Sequence, residues 1–178
     1  MKWMTGEFGG AVPLAAELRL ISSGRDPKSR FRRFTTMPTL RHLTVDDYDA
    51  IIRLWEQAGL RSVRLHGRDS RDAFTAQLAG GQRAIGLEDE GRLVGAVLVT
   101  HDTRKGWINR LAVHPEHRRK GYAPKLIAAA EQELCAMGLQ IFAVLIEADN
   151  SVSQELFAQQ GYKAHDVVYL SKRKNDDV

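Results

Sequence analysis

The chain is poor in cysteine: Cys135 is the one thiol in 178 residues. That excludes an internal disulfide framework and any Cys-rich zinc site, and it fits a reducing, cytoplasmic compartment. No uncharged apolar run approaches the ~20 residues that span a bilayer. The N-terminus lacks the apolar stretch of a secretory signal. Internal repeats are absent, and no low-complexity tract follows the first 36 residues. The body of the chain also lacks net charge. Of 26 basic residues seven fall within 1–36, and of 22 acidic residues three do, which leaves 19 of each sign for 37–178. Nucleic-acid backbones require a basic domain face, so neither nucleic acid nor membrane is expected as a partner. What is present is the balance of one globular domain, 43% hydrophobic and 27% charged.

The segment 1–36 is rich in Gly, Ser and Arg and holds no sustained period beyond a short helical stretch over 12–21. It reads as a basic arm, flexible or not native to the domain. Met37 is followed at once by structural signals, and 37–178 reads as the domain. A short strand is expected over 39–43. Thr44 then caps a helix that carries Asp46 and Asp47 in its first turn and Tyr48, Ile51, Ile52 and Trp55 at helical spacing. Ser70 or Asp69 opens a second helix. Strands over 83–88 and 92–100 are joined by Asp89, Glu90 and Gly91, a hairpin signal. Another strand is expected at 106–113 and a helix at 124–137. The unbroken apolar run 141–146 reads as a central strand covered on both faces. Ser151 and Gln154 suggest a capping box for a helix over 152–160, and 167–171 reads as a last strand.

The most informative stretch runs from Leu111 through His114, Pro115, Arg118, Arg119, Lys120 and Gly121 to Pro124. An apolar strand ends, a basic turn follows, and a helix begins. Gly121 lets a ligand approach the backbone closely. Successive N–H groups at a helix N-terminus form a nest for an anion, and Arg118, Arg119, Lys120 and Lys125 add positive charge. Pro124 suits a first helical turn, where its missing N–H has no intrahelical partner. The chemistry implied is pyrophosphate recognition. A solvated basic turn between strand and helix is the competing reading. The stretch is neither a Walker loop nor a dinucleotide-binding glycine turn.

These residues resemble the coenzyme A signature of the GNAT superfamily of N-acetyltransferases. Arg118, Gly121 and Ala123 match its Arg/Gln-x-x-Gly-x-Gly/Ala motif, and Leu111, Val113 and Pro115 match the preceding strand. The resemblance covers about 38–173 and includes Asn150, Leu156, Phe157, Gly161 and Tyr162. It is greatest to small bacterial single-domain members. It implies an α/β (α+β) domain with a mixed, mostly antiparallel sheet of six to seven strands, splayed after the fourth and flanked by four helices. It further implies transfer of acetyl from acetyl-CoA, with no metal, to a primary amine of a small molecule or peptide, by direct attack. The chain would act as monomer or homodimer.

By position, the resemblance assigns coenzyme contacts to the backbone of Leu111, Ala112 and Val113. It assigns the pyrophosphate to the turn formed by Arg118, Arg119, Lys120, Gly121, Tyr122, Ala123 and Pro124, of which Pro124 has no N–H to give. Asn150 takes a place that often contacts the coenzyme. Phe157 takes the place where relatives keep a general-acid tyrosine, and it cannot donate a proton. Tyr162 lies five residues further on. A base for the amine is sought on the fourth or fifth strand: Glu147 is the one carboxylate of the latter, and Asn109, on one face with Trp107, could hold a water. The loop between the first two helices carries Arg61, Arg64, Arg68 and Arg71 with Asp69 as its one acid before Arg71. It would favour an acceptor bearing a carboxylate or phosphate, or it is a solvated basic loop. The missing acid keeps open an alternative, a non-catalytic acyl-CoA-binding regulatory module.

Overall fold

The computed structural model describes residues 37–61 and 63–174; the basic arm over 1–36, with its helical stretch, lies outside the described residues. In chain order the elements are β1 (Thr39–His42), α1 (Tyr48–Ala58), α2 (Arg71–Ala79), β2 (Arg83–Asp89), β3 (Arg92–His101), β4 (Gly106–Val113), α3 (Tyr122–Ala136), β5 (Phe142–Ala143) and α4 (Ser151–Gln159). The five strands form one sheet in sequential order. They are antiparallel from β1 to β4 and parallel between β4 and β5.

The entry to α1 follows from its capping chemistry. The Thr44 hydroxyl accepts the Asp46 N–H, the Asp47 carboxylate accepts the Thr44 N–H at 2.8 Å, and the box closes on a 3-10 turn over Val45–Asp47. Arg41 of β1 reaches the same carboxylate at 2.6 and 2.9 Å and joins it to Glu88 of β2. The Arg41 hydrogen bond is the main reason the Asp47 carboxyl is held down to about 2. An unfolded Asp titrates near 4. The folded carboxyl therefore releases its proton at lower pH than the unfolded one. Its stabilisation is full above about pH 4 and fades as pH falls towards 2. Asp47→Asn is expected to flatten this part of the acid-unfolding curve, as followed by circular dichroism.

Side chains alternate across the sheet and make two cores. On one face Ile85, Leu87, Val97, Val99 and Ile108 pack with Leu126, Ile127, Ala130 and Leu134 of α3 and Phe157 of α4. On the other, Ala84, Ala96, Leu98 and Ala112 pack with Ile51, Leu54 and Trp55 of α1 and Phe74 of α2. A methyl group at Gly106 would run into the Leu134 side chain, so α3 lies directly on the start of β4.

Four expectations are corrected. The central strand buried on both faces is β3, whose residues Val94 to Val99 are all buried, and not the run 141–146. That run contributes only the two-residue edge strand β5. Phe142, Val144 and Ile146 pack inward, while Ile141 and Leu145 are more than half exposed. An apolar run needs a layer on each face to be a central strand, and here one face has none. Second, 167–171 forms no strand. Val167, Val168, Tyr169 and Leu170 are all exposed, so the described residues hold five strands rather than six or seven. Third, α3 starts at Tyr122, which places Pro124 third in the helix, still within the turn where a missing N–H costs nothing. Fourth, α4 is capped by Asn150, whose Oδ1 accepts the Ser153 N–H at 3.1 Å, and not by Ser151. Gln154 instead donates to the carbonyls of Glu147 and Ala148.

Candidate functional site

Only the first two residues of β4, Gly106 and Trp107, pair with β5, opposite Phe142 and Ala143. From Ile108 to Val113 the outer edge of β4 has no strand partner among the described residues, and here the sheet splays. The N–H of His114 donates to Val94 of β3 at 2.8 Å. Strand alternation then turns the backbone of Ala112 towards β3 and that of Leu111 and Val113 to the open edge.

β4 leads straight into the basic turn. A 3-10 turn over Pro115–His117 is capped by the His114 ring, and the Arg118 N–H returns to the Pro115 carbonyl. Arg119 (φ +63°) and Gly121 (φ +76°) both adopt left-handed conformations, and Gly121 caps α3. Among the described residues the amides of Arg119, Lys120 and Gly121 take no backbone partner. Tyr122 and Ala123 follow as the first two helical residues, whose N–H groups have no partner inside a helix. Five consecutive donors thus stand at the positive end of the α3 dipole, an arrangement suited to an anion. A Cβ at Gly121 would meet nothing within 4 Å, so there is open space beside the turn.

Side chains hold the turn in place. Tyr122 donates to Asp89 at 2.7 Å, and His117 lies 3.2 Å from the same carboxylate. These contacts tie the turn to the β2–β3 hairpin, and the Tyr122 hydrogen bond, followed by that of His117, keeps Asp89 below the usual carboxylate range. Arg118 donates to the carbonyls of Val113 (3.3 Å) and Ala58 (2.9 Å). Its side chain therefore stitches the turn to the end of α1. Arg119, Lys120 and Lys125 are exposed around the nest, with both lysine ammoniums over the Tyr122 ring.

The remaining sequence candidates are placed unevenly. Trp107 and Asn109 share the α1 and α2 side of β4, and Asn109 Nδ2 donates to Thr100 Oγ1 at 3.0 Å. Glu147 is exposed, four residues beyond the end of β5. Asn150 spends its side-chain oxygen on the α4 cap. Phe157 is buried in the core, edge-on to Tyr162 with ring centroids 5.0 Å apart. Tyr162 donates to Glu131 at 2.8 Å, and burial, followed by that bond, holds its hydroxyl proton above the usual range. Neither aromatic presents a free acidic hydroxyl. Among the described residues no His, Cys, Asp and Glu group could hold a metal ion, and no helix is long and apolar enough to cross a membrane.

The arginine loop is largely engaged by the protein itself. Arg61 faces Asp149, Arg64 donates to the Val63 carbonyl, and Arg71 binds Asp49 while lying over the Tyr48 ring. Arg110 of β4 donates from Nη2 to both carboxylate oxygens of Asp69, at 2.8 and 2.7 Å. The sequence signal for that pair was Asp69 standing as a lone acid among arginines. Nothing in the β4 pattern marked Arg110.

Comparison with known proteins converges on one family. The model described as the acetyltransferase (GNAT) family matches residues 40–162. An acetyltransferase of Yersinia pestis is 28% identical over 134 residues, which cover 75% of this chain and 94% of that protein. An acetyltransferase of Pectobacterium atrosepticum is 28% identical over 78% of this chain and 96% of its own length. Among solved structures, the PaiA N-acetyltransferase of Thermoplasma acidophilum in complex with coenzyme A superposes with a TM-score of 0.67 at 17% identity, covering 75% of this chain and 94% of that one.

Proposed function

The chain belongs to the acetyltransferase (GNAT) family, and on that premise we propose that it transfers acetyl from acetyl-CoA directly to a primary amine of a small molecule or peptide. The observation that carries the reading is the turn of five donor amides opening α3 directly after the unpaired edge of β4. In this reading the pyrophosphate lies on the amides of Arg119 to Ala123, and Leu111 and Val113 hold the pantetheine arm and the acetyl carbonyl. A neutral amine attacks the thioester carbon, the strand amides stabilise the developing oxyanion, and the coenzyme thiolate leaves. Asn109 orients the amine or a water that takes its proton, and Glu147, exposed beyond the end of β5, is the carboxylate that receives it. The thiolate is protonated by solvent, because Phe157 has no hydroxyl and Tyr162 is bound to Glu131. The same absence of an acid supports the second reading, an acyl-CoA-binding regulatory module without transfer. The engaged loop arginines weigh against selection for an acidic acceptor.

Two measurements on the full chain separate the readings. Acetyl-CoA is expected to raise the melting temperature, as a ligand selective for the folded state must. Free thiol is expected to appear with at least one member of an amine panel. A melting shift without thiol release from any amine supports the regulatory module, and no shift at all overturns both.

Every site residue lies beyond Met37, so removal of 1–36 is expected to leave folding and the coenzyme-induced shift intact. The isoelectric point would fall towards neutrality, since the remainder carries equal numbers of acids and bases. Loss of coenzyme affinity in the truncated chain would show that the arm belongs to the site.

A further inference from the structure

The sheet register breaks once between β3 and β4. Ala112 sits opposite Ala96 and Asn109 opposite Leu98, so Arg110 and Leu111 together face Val97. This is a bulge, two residues against one, and bulges re-aim backbone and side chains beside functional sites. Arg110 adopts φ +53° there, a conformation that a non-glycine residue holds only when its surroundings compensate. The compensation is visible. The Arg110 guanidinium binds both oxygens of Asp69 and lies over the Trp55 ring, 5.4 Å from its centroid. Both partners are nearly buried, with side-chain exposures of 14% and 8%. Asp69 is in turn fixed within its loop. Its carboxylate accepts the Arg64 N–H at 2.8 Å, its own N–H donates to the Arg64 carbonyl, and its carbonyl accepts the Tyr48 hydroxyl at 2.7 Å. One ion pair therefore joins the loop between α1 and α2 to the bulge whose next residues are Leu111, Ala112 and Val113.

We propose that the ion pair between Asp69 and Arg110 is a positioning element of the transfer site: it holds the β4 bulge so that the open-edge amides of Leu111 and Val113 face the acyl-pantetheine, and it locks the loop between α1 and α2 to that strand. The inference rests on the coenzyme reading above. Arg110 is a positioning residue and not a catalytic one, because it reaches the chemistry only through the backbone it shapes. Low exposure makes the pair sensitive to single changes, since removing the Asp69 carboxylate takes two charge-assisted hydrogen bonds from a guanidinium that is 14% exposed.

The test uses the full chain, labelled with nitrogen-15, and coenzyme A as the probe. In wild type, coenzyme A is expected to slow amide exchange at Leu111 and Val113 by at least about tenfold. In Asp69→Asn that slowing should fall below about threefold. The coenzyme-induced melting shift, which depends on the separate turn at 119–123, should persist, and the core amides of Leu98 and Ile108 should exchange as in wild type. Arg110→Lys keeps the charge but loses the planar guanidinium that lies over the Trp55 ring while it binds Asp69, so it should fall between the two, and it replaces Asp69→Asn if that variant does not fold. A wild-type melting shift with unchanged slowing in the variants overturns the positioning role alone. No melting shift in wild type overturns the coenzyme reading and this inference with it.

Discussion

Gly121→Glu is expected to abolish the rise in melting temperature that acetyl-CoA gives the wild-type chain. Gly121 caps α3 at φ +76°, and an L side chain there costs on the order of 1–2 kcal/mol. That cost alone would lower the melting temperature of the free variant without touching the ligand response. The ligand response fails for a different reason. The new side chain starts where a Cβ meets no neighbour, within the run of amides proposed to hold the pyrophosphate, and it is long enough to reach them. There its carboxylate takes up the donors and repels the incoming pyrophosphate. Gly121→Ala carries the same backbone strain without the charge or the reach, and it should keep most of the response. At ligand about a hundredfold above Kd the wild-type stabilisation is roughly 2.7 kcal/mol. For a domain of this size that is about 5–10 °C. Equal shifts in wild type and Gly121→Glu would remove the pyrophosphate from this turn.

Phe157→Ala is expected to destabilise the chain by about 3–5 kcal/mol, the cost of emptying a buried phenyl site that cannot fully collapse. The ring is 4% exposed and packs edge-on against Tyr162 within the α3 core. The matching fall in melting temperature is roughly 6–20 °C. Val152→Ala, on the exposed side of α4, serves as the control and should change stability by less than about 0.5 kcal/mol. Phe157→Tyr separates core from cleft. A hydroxyl sealed in the core without a partner costs about 1–3 kcal/mol, whereas one that reaches an open cleft costs little. The burial of Phe157 leads us to expect the larger cost in the free chain, measured by chemical unfolding. A neutral Phe157→Tyr, or a Phe157→Ala loss under about 1 kcal/mol, would place the ring at the cleft instead, where a tyrosine could serve the departing thiolate.

Local chemistry was readable wherever it involved neighbours in sequence. Thr44 with Asp47, Ser70 ahead of α2, the hairpin at Glu90 and Gly91, and the limits of β4 all depend on residues within a few positions of one another. So does the anion turn, because Arg119, Gly121 and the first turn of α3 make it from one continuous stretch. The run 141–146 misled because apolar content reports that a segment is buried, not how many of its faces are. The three residues that point inward and the two that are exposed were indistinguishable until α3, α4 and β4 took their places.

The sequence by itself determined the motif that carries the family resemblance, the order of helices and strands as far as α4, and the glycine turn that opens α3, since each depends on residues close together in the chain. Only the tertiary structure decided which groups are already spent. Tyr162 is bound to Glu131, thirty-one positions away; Arg118 reaches Ala58 across sixty; Arg110 and Asp69 meet across forty-one. Pairings of that range depend on where the sheet brings distant segments together, and a buried charge selects its partner by geometry rather than by sequence distance.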